Sequence, residues 1–379
     1  MPAGFLNNRE TMSRPLFVSL SMVVKNEETV LGRALESFQG KNKFWDELVI
    51  TDTGSTDATM DIARRYGARV VEAPWPDSFG AARNMTAAHA SPQADLIANL
   101  DADEVLGAGG HLLRQRLEEG YARGRRMMGI RYEWSHDAAG KPTLVFSRQG
   151  FYDPKLFSWC GRVHEALEGP PGADLREHFD DVTLEHWPKP QSQATKSSRD
   201  LHLLELDAAE NPANARCLYY LGREYGHAGR HREAIGALER YLAIATWRCE
   251  RMHALHLMAA SEIALGDEPA AVRHFIDSIR EQPERREPYM ALCRFHYDRK
   301  HWRECAIWGE ATCAIAPESV PRDFFYPIDV YSWLPHDLLA IAYWNLGEKA
   351  KGKAHLDRAI ALNPADKRLL ANRRWFANL

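Results

Sequence analysis

The sequence lacks most of the features that would set it apart from an ordinary multidomain protein. No apolar run approaches the roughly 20 residues that a membrane-spanning helix requires, and the longest, Phe17 to Val24, is interrupted by Ser19 and Ser21. The opening stretch, MPAGFLNNRETMSRP, has no apolar h-region, so a secretory signal is not expected and the cytoplasm is the expected compartment. Cysteine is sparse: Cys160, Cys217, Cys249, Cys293, Cys305 and Cys313 form no CxxC pair, which points to small buried side chains in a reducing compartment. With 25 Gly and 20 Pro in 379 residues, collagen-like, mucin-like and disordered chains are excluded. A charge excess is missing too. The 48 Lys and Arg stand against 52 Asp and Glu, a net −4; residues 1–190 carry 22 basic and 27 acidic side chains, residues 191–379 carry 26 and 25. Neither half can hold a phosphate backbone by bulk charge; only a local basic groove remains open.

What is present falls into two grammars, on a chain long enough for roughly two to three domains. Residues 16–107 alternate strand-like and helix-like segments. LFVSLSMVV, ELVITDTGS, ARVVEA and ADLIANLDADE read as strands; EETVLGRALESFQG, TDATMDIARRYG and AARNMTAAHAS read as helices. This rhythm predicts a largely parallel sheet covered by helices, with ligands beyond the carboxyl ends of its strands. Those ends read VVKNEE, TDTGSTD and NLDADE, polar and charged where a structural loop needs no such side chains. From about residue 194 the pattern becomes helix after helix. Units start near 215, 252, 286 and 333, the middle two 34 residues apart, and the longer last spacing holds a Pro- and aromatic-rich insert at 318–330. Leu218, Leu221, Gly222, Tyr225, Ala234 and Leu238 of the first unit, with Ala259, Ala271, Phe275, Ala340, Tyr343 and Leu356 later, resemble tetratricopeptide repeats; Glu262, His296 and Gly309 depart from that pattern. Such hairpins bury their apolar faces only by stacking on neighbours.

The candidate chemistry lies in the first half. Asp101 and Asp103 of DADE, two residues apart on a strand-end turn, suit a hard divalent cation that also binds a diphosphate; a solvated acidic turn is the plainer alternative. Asp52 is placed to accept from a base N–H, and Gly54 permits a tight turn beside a ligand. Thr56 or Asp57 serves equally as a helix cap, and Glu27 and Glu28 as first-turn helix acids. Arg83 sits in the first turn of a helix, where the dipole does not favour a cation, which suggests a diphosphate contact.

VVKNEE, ITDTGSTDAT, FGAARN and NLDADE, in this order and at these spacings, resemble the family 2 glycosyltransferases of GT-A fold, and GRVHEAL at 161–167 resembles members that continue into tetratricopeptide repeats. The resemblance covers roughly 16–190. It implies an α/β domain, a Rossmann-like mixed sheet with helices on both faces, that transfers a sugar with inversion from a nucleotide-sugar, using Mn²⁺ or Mg²⁺. Carried over by motif, Val24, Lys25, Asn26 and Glu28 frame the base, and Asp52, Gly54 and Ser55 hold it, uracil being expected. Arg83, Asp101 and Ala102 meet the ribose and diphosphate, and Asp101 and Asp103 the metal. Inversion needs a base opposite the leaving group, for which Glu165 is first choice, ahead of Asp153 and Glu133. His164 is the candidate third metal ligand, with His186 behind it.

The expected organisation is an N-terminal extension (1–15), a GT-A domain (16–192) and an all-α solenoid (193–379). The absence of a QxxRW-like tail argues for transfer of one hexose or N-acetylhexosamine rather than processive synthesis. A peptide or protein, a lipopolysaccharide core sugar or a modified phage DNA base are the acceptors in view, with the repeats recruiting acceptor or partner or self-associating. The competing readings are a non-catalytic interaction protein with a degenerate sheet domain and a nucleotidyltransferase, the latter disfavoured because VVKNEETV lacks a Gly-rich basic signature. Trp247, Trp302 and Trp333, with Arg248, Arg251 and Arg303, are either ligand-stacking or helix-packing residues.

Overall fold

The computed structural model describes residues 14–376 apart from 138, 173–174, 190–192 and 321–323. The extension up to residue 13 and the junction at 190–192 therefore lie outside the described residues. Two compact units are present, one formed by residues up to 135 with 146–189, the other by 136–145 with 193 onward.

In the first unit, β1 (Val18–Val24), β2 (Glu47–Asp52), β3 (Arg69–Glu72) and β4 (Leu96–Asn99) alternate with α1 (Leu31–Ser37), α2 (Thr59–Arg65) and α3 (Phe79–Ala88). After β4 come β5 (Glu104–Leu106), α4 (Leu113–Ala122), β6 (Met127–His136), β7 (Pro142–Tyr152), β8 (Ser158–Cys160), β9 (Ala166–Glu168) and β10 (Arg176–His186). The main sheet runs β3-β2-β1-β4-β7-β6-β10-β5. Its first four strands are parallel, β7 is antiparallel to β4, and β5 is antiparallel to β10, so the sheet is mixed as expected. β1 is apolar on one face (Val18, Leu20, Met22, Val24), which joins Leu31, Leu35, Phe38 and Phe44 in the larger core. Each such fully buried side chain contributes about 1.5–3 kcal/mol. The small Ser19 and Ser21 alternate with them on a strand against which α3 packs.

α1 is shorter than its sequence pattern. Glu27 and Glu28 precede it rather than forming its first turn: Glu27 N donates to Thr59 Oγ1 at the start of α2, the Glu27 carboxylate pairs with Lys189, and Glu28 Oε2 accepts from Ala58 N.

The second unit is an array of helical hairpins: α5 (Gln193–Glu210), then the pairs α6 (Ala215–His227) with α7 (His231–Ile244), α8 (Arg248–Leu265) with α9 (Glu268–Glu281), α10 (Arg286–Asp298) with α11 (Trp302–Ala314), and α12 (Leu334–Asn345) with α13 (Lys349–Leu362), closed by α14 (Lys367–Asn372). Gly222 explains the LxxLG pattern: a Cβ there would lie 2.4 Å from Leu238 Cγ, so only glycine lets α6 and α7 cross this closely. Cys217, Cys249, Cys293 and Cys305 are buried free thiols, as the spacing suggested. The described part of the 318–330 insert pads this unit. Tyr326 and Pro327 pair with Val145 and Leu144, Val320, Tyr326 and Tyr331 pack on Val145, and Phe324 packs on Cys249 and Met252. The fully buried Arg285 anchors it by donating to Phe325 O at 2.8 Å while paired with Glu287. Trp302 and Trp333 pack against the helical cores; Trp247 stays partly exposed, edge-on to Phe324. No helix among the described residues is long and apolar enough to cross a membrane.

Candidate functional site

The carboxyl ends of β1, β2 and β4 lie side by side, and the loops that follow the first two strands are laced together. Asn26 N donates to Ser55 Oγ (2.9 Å), Thr56 N to Asn26 Oδ1 (2.8 Å), Glu27 N to Thr59 Oγ1 (2.7 Å) and Ala58 N to Glu28 Oε2 (3.0 Å). Asn26 takes a left-handed backbone (φ 55°) at this crossing. Val24 supplies its carbonyl to Thr53 N at 3.0 Å, and Lys25 is exposed. Asp57 does act near the helix start, accepting from Thr59 N at 3.0 Å.

Asp52 ends β2 almost wholly buried. Its Oδ1 accepts from Gly54 N (2.9 Å) and Ser55 N (2.8 Å), a turn that Gly54 permits with φ 102°. Its Oδ2 is buried with no hydrogen-bond partner among the described residues. A buried acceptor left in this state costs roughly 1–3 kcal/mol.

α3 delivers Arg83 to the neighbouring strand end. Gly80 makes the approach possible, since a Cβ there would stand 2.5 Å from Gly161 O. Asn84 clamps the far side, donating to Trp159 O (2.8 Å) and accepting from Trp159 N (2.9 Å). Arg83 then bridges Asp101 (2.8 and 3.3 Å), Glu165 Oε1 (2.5 Å) and Asn99 Oδ1. FGAARN is thus a docking surface that aims one guanidinium at two carboxylates. Arg83, expected at a diphosphate, pairs with both acids in this structure.

The DADE turn is held from two sides. Asp101 N donates to Glu104 Oε2 (2.8 Å), and the fully buried Glu104 receives Arg148 Nε at 2.5 Å. Arg148 also reaches Asp101 Oδ2 at 3.5 Å. Burial would raise the Asp101 pKa, but Arg83 and Arg148 outweigh it and hold the carboxyl well below the usual range. For Glu104 burial wins over Arg148, and the carboxyl is pushed up. Ala102 is buried in the turn.

Asp103 faces the other way. The β5–β10 register sets Glu104 opposite His186, and Trp187 N donates to Asp103 O at 2.8 Å, which leaves His186 Nε2 3.3 Å from Asp103 Oδ2. His186 Nδ1 lies 3.1 Å from Trp134 O, and its ring stacks on the Trp134 indole (centroids 4.2 Å, 15°). Burial pushes the His186 pKa down, but the hydrogen bond and charge of Asp103 more than offset this and raise it. Lys189 closes the corner, pairing with Glu27 (2.7 Å) and donating to Asn26 O (2.6 Å). The Glu27 carboxyl is pushed up by burial, against Lys189.

Of the sequence candidates, Asp101, Arg83 and Glu165 are brought together, as are Asp103 and His186. His164 sits in the turn between β8 and β9 with a left-handed backbone (φ 52°), and no cluster of three metal-ligating side chains is gathered among the described residues. Asp153 follows β7, whose end lies beside the start of β4 and so away from the strand ends, and it caps Lys155 N; Glu133 pairs with Arg131. Sequence reasoning missed Arg148, Lys189, Trp134 and Asn84. Only Asn84, inside a quoted motif, carried any signal.

A divalent cation fits Asp103 and His186. Among the described residues the Asp103 carboxylate meets only His186, and a proton on Nδ1 directed to the Trp134 carbonyl frees Nε2 as a ligand. Asp101 is instead occupied by two arginines.

Residues 19–114 match the family model for glycosyl transferase family 2. A TPR repeat-containing protein of Synechococcus elongatus is 45% identical over 89 residues, 24% of this chain and 21% of that protein. An uncharacterized glycosyltransferase of Rickettsia typhi is 35% identical over 89 residues, 24% of this chain and 28% of that protein. The chain thus spans about a quarter of the length of the curated relatives it matches. Among solved structures, S. aureus TarS 1–349 superposes with a TM-score of 0.40 at 12% identity, covering 71% of this chain and 92% of that one. MamA gives 0.37 at 15% identity, covering 45% and 91%.

Proposed function

We propose that the sheet unit is a glycosyltransferase that moves a single hexosyl or N-acetylhexosaminyl group, with inversion, from a UDP-sugar to an acceptor, and that the helical hairpins bind acceptor or partner. The observation that carries this reading is the pairing of Asp103 with His186 at 3.3 Å, beside an Asp101 held by arginines, at the carboxyl ends of parallel strands. The match of residues 19–114 to glycosyl transferase family 2 supports the same reaction class.

Each residue then has a task. Asp52 accepts the uracil N–H on its unpartnered Oδ2, while its Oδ1 keeps the Gly54–Ser55 turn closed. Val24, Lys25, Asn26 and Glu28 shape the loop beside the base, its form fixed by the cross-loop hydrogen bonds. Asp103 and His186 would hold Mn²⁺ or Mg²⁺, which would supply positive charge to offset that of a leaving diphosphate. Arg83 and Arg148 keep Asp101 ionised and fixed, so the turn presents Asp103 without rearranging. Glu165 takes the acceptor proton: Arg83 holds its Oε1, and Oε2 has no hydrogen-bond partner among the described residues.

A panel of UDP- and GDP-sugars tests this, with donor hydrolysis followed in Mn²⁺, Mg²⁺ and EDTA. Metal-dependent release of UDP is expected, and Asp103→Ala or His186→Ala should abolish it while circular dichroism stays unchanged. Undiminished turnover in either variant refutes the metal assignment. The absence of both hydrolysis and any UDP-induced thermal shift favours a non-catalytic interaction protein.

A further inference from the structure

One exposed aromatic at the candidate site has no role in the reaction above. In the sheet unit, two large apolar side chains are more than a third exposed among the described residues, Trp134 (39%) and Leu156 (38%). Leu156 follows the end of β7, at the opposite edge of the strands from the site. Trp134, on β6, stands within the site. One face of its indole rests on His186, with Tyr132 and Phe146 bordering it at 5.9 and 6.2 Å. A ring that only buttressed the imidazole would be most stable fully covered, at about 25 cal/mol for each Å² of apolar surface removed from water. This one keeps a broad surface in solvent.

Its position along the sheet indicates what that surface meets. Asp52 ends β2, and the turn that carries Asp101 and Asp103 leads from β4 into β5, where Glu104 pairs with His186 of β10, the strand beside the β6 that carries Trp134. His186 Nε2 lies 3.3 Å from Asp103 Oδ2 and its ring is stacked on the indole at 4.2 Å, so Trp134 stands one ring away from the Asp103 carboxylate. With the diphosphate held at Asp103 and His186, the donor sugar attached to it and the acceptor that meets that sugar lie in the neighbourhood of the indole. The surface there combines a flat apolar face with the indole N–H at its edge. A pyranose ring is its complement, with axial C–H groups on one face and hydroxyls around the rim.

We propose that Trp134 is the floor of an acceptor subsite that takes a saccharide, a pyranose ring stacking on the indole. This deepens the glycosyltransferase reading and rests on it for the placement of the diphosphate.

Saturation-transfer NMR with methyl β-D-glucopyranoside and methyl N-acetyl-β-D-glucosaminide, on the full chain with and without UDP and Mn²⁺, tests the subsite. Saturation should pass to the ring C–H protons of at least one glycoside, fall five-fold or more in Trp134→Ala, and persist in Trp134→Phe. UDP–Mn²⁺ affinity, measured in parallel, should change less than three-fold in Trp134→Phe, which keeps a ring on His186. Equal saturation in wild type and Trp134→Ala, or none in wild type, overturns the proposal. A parallel fall of saccharide and UDP–Mn²⁺ binding in Trp134→Phe also overturns it, because Trp134 then serves only His186. If Trp134→Ala removes the affinity gained by a UDP-hexose over UDP, the indole belongs to the donor sugar and the acceptor assignment fails. Failure of UDP to bind wild type at all counts against the transferase reading, while the UDP-free glycoside signal still decides on Trp134.

Discussion

Replacing Gly80 by alanine should destabilise the sheet unit although it removes a glycine from a helix. On a helix with open space, Gly→Ala gains about 1 kcal/mol. At Gly80 the new methyl would sit 2.5 Å from Gly161 O, roughly 0.8 Å inside the ~3.3 Å at which carbon ordinarily rests on a carbonyl oxygen. That oxygen cannot retreat easily: Ser78 Oγ donates to it at 3.3 Å, and the next carbonyl, of Arg162, is held by Phe79 N at 2.7 Å. Backbone overlap of this kind belongs at the upper end of overpacking costs, about 3 kcal/mol, leaving a net loss of about 2 kcal/mol after the helix gain. For a unit of this size that is about 4–8 °C in Tm. Gly32→Ala is the internal control. It lies within α1, and its nearest neighbour for a Cβ is Ile62 Cγ2 at an ordinary 3.9 Å, so it should raise Tm by about 2–4 °C. Differential scanning fluorimetry with urea titration reads both. Opposite signs are required. A neutral or stabilising Gly80→Ala would refute the claim that α3 docks on the 161–162 turn closely enough to aim Arg83.

Asp52→Asn keeps an acceptor for the Gly54 and Ser55 amides but presents NH₂ where Oδ2 now stands, so UDP affinity by calorimetry should fall ten-fold or more while Tm moves little; unchanged affinity removes Asp52 from base recognition. Glu165→Gln should lower transfer about 10²–10⁴-fold with UDP binding retained, and near-normal kcat excludes it as the base. In the helical unit, burial would raise the Glu224 pKa, but His227 and Arg223 outweigh it and bring it to about 2. A depressed carboxyl contributes stability above its unfolded value, near 4.3, that is lost as pH falls through about 2. Melting of the helical unit should therefore weaken between about pH 5 and 2, Glu224→Gln should flatten that slope, and an identical slope in both proteins refutes the pairing.

Much of this was legible in the chain because β1, β2 and β4 are short, β-branched, apolar runs whose polar ends could be read directly. The Gly222 and Leu238 crossing likewise wrote itself into the LxxLG pattern of the first repeat. What stayed hidden depends on pairing between distant segments. Glu27 and Glu28 look like helix acids until the loop after β2 is seen to claim Glu28 Oε2 and Glu27 N. His164, embedded in the GRVHEAL motif, outranked His186 on sequence, yet the β5–β10 register puts His186 beside Asp103. Arg148 and Lys189 lie in stretches without any recognisable pattern, and only the folded sheet reveals that they balance Glu104, Asp101 and Glu27.

The pairing of β5 with β10 spans some eighty positions of chain, and it imposes a timetable on synthesis. Once the first hundred residues have left the ribosome, β1 to β4 can associate, yet Glu104 has still to wait for Arg148, and Asp103 for His186. A nascent polypeptide halted before residue 186 would own a nearly finished sheet whose acidic corner carries surplus negative charge and a bare β5 edge. The newborn chain thus acquires the last residues of the candidate site only as translation reaches the helical half.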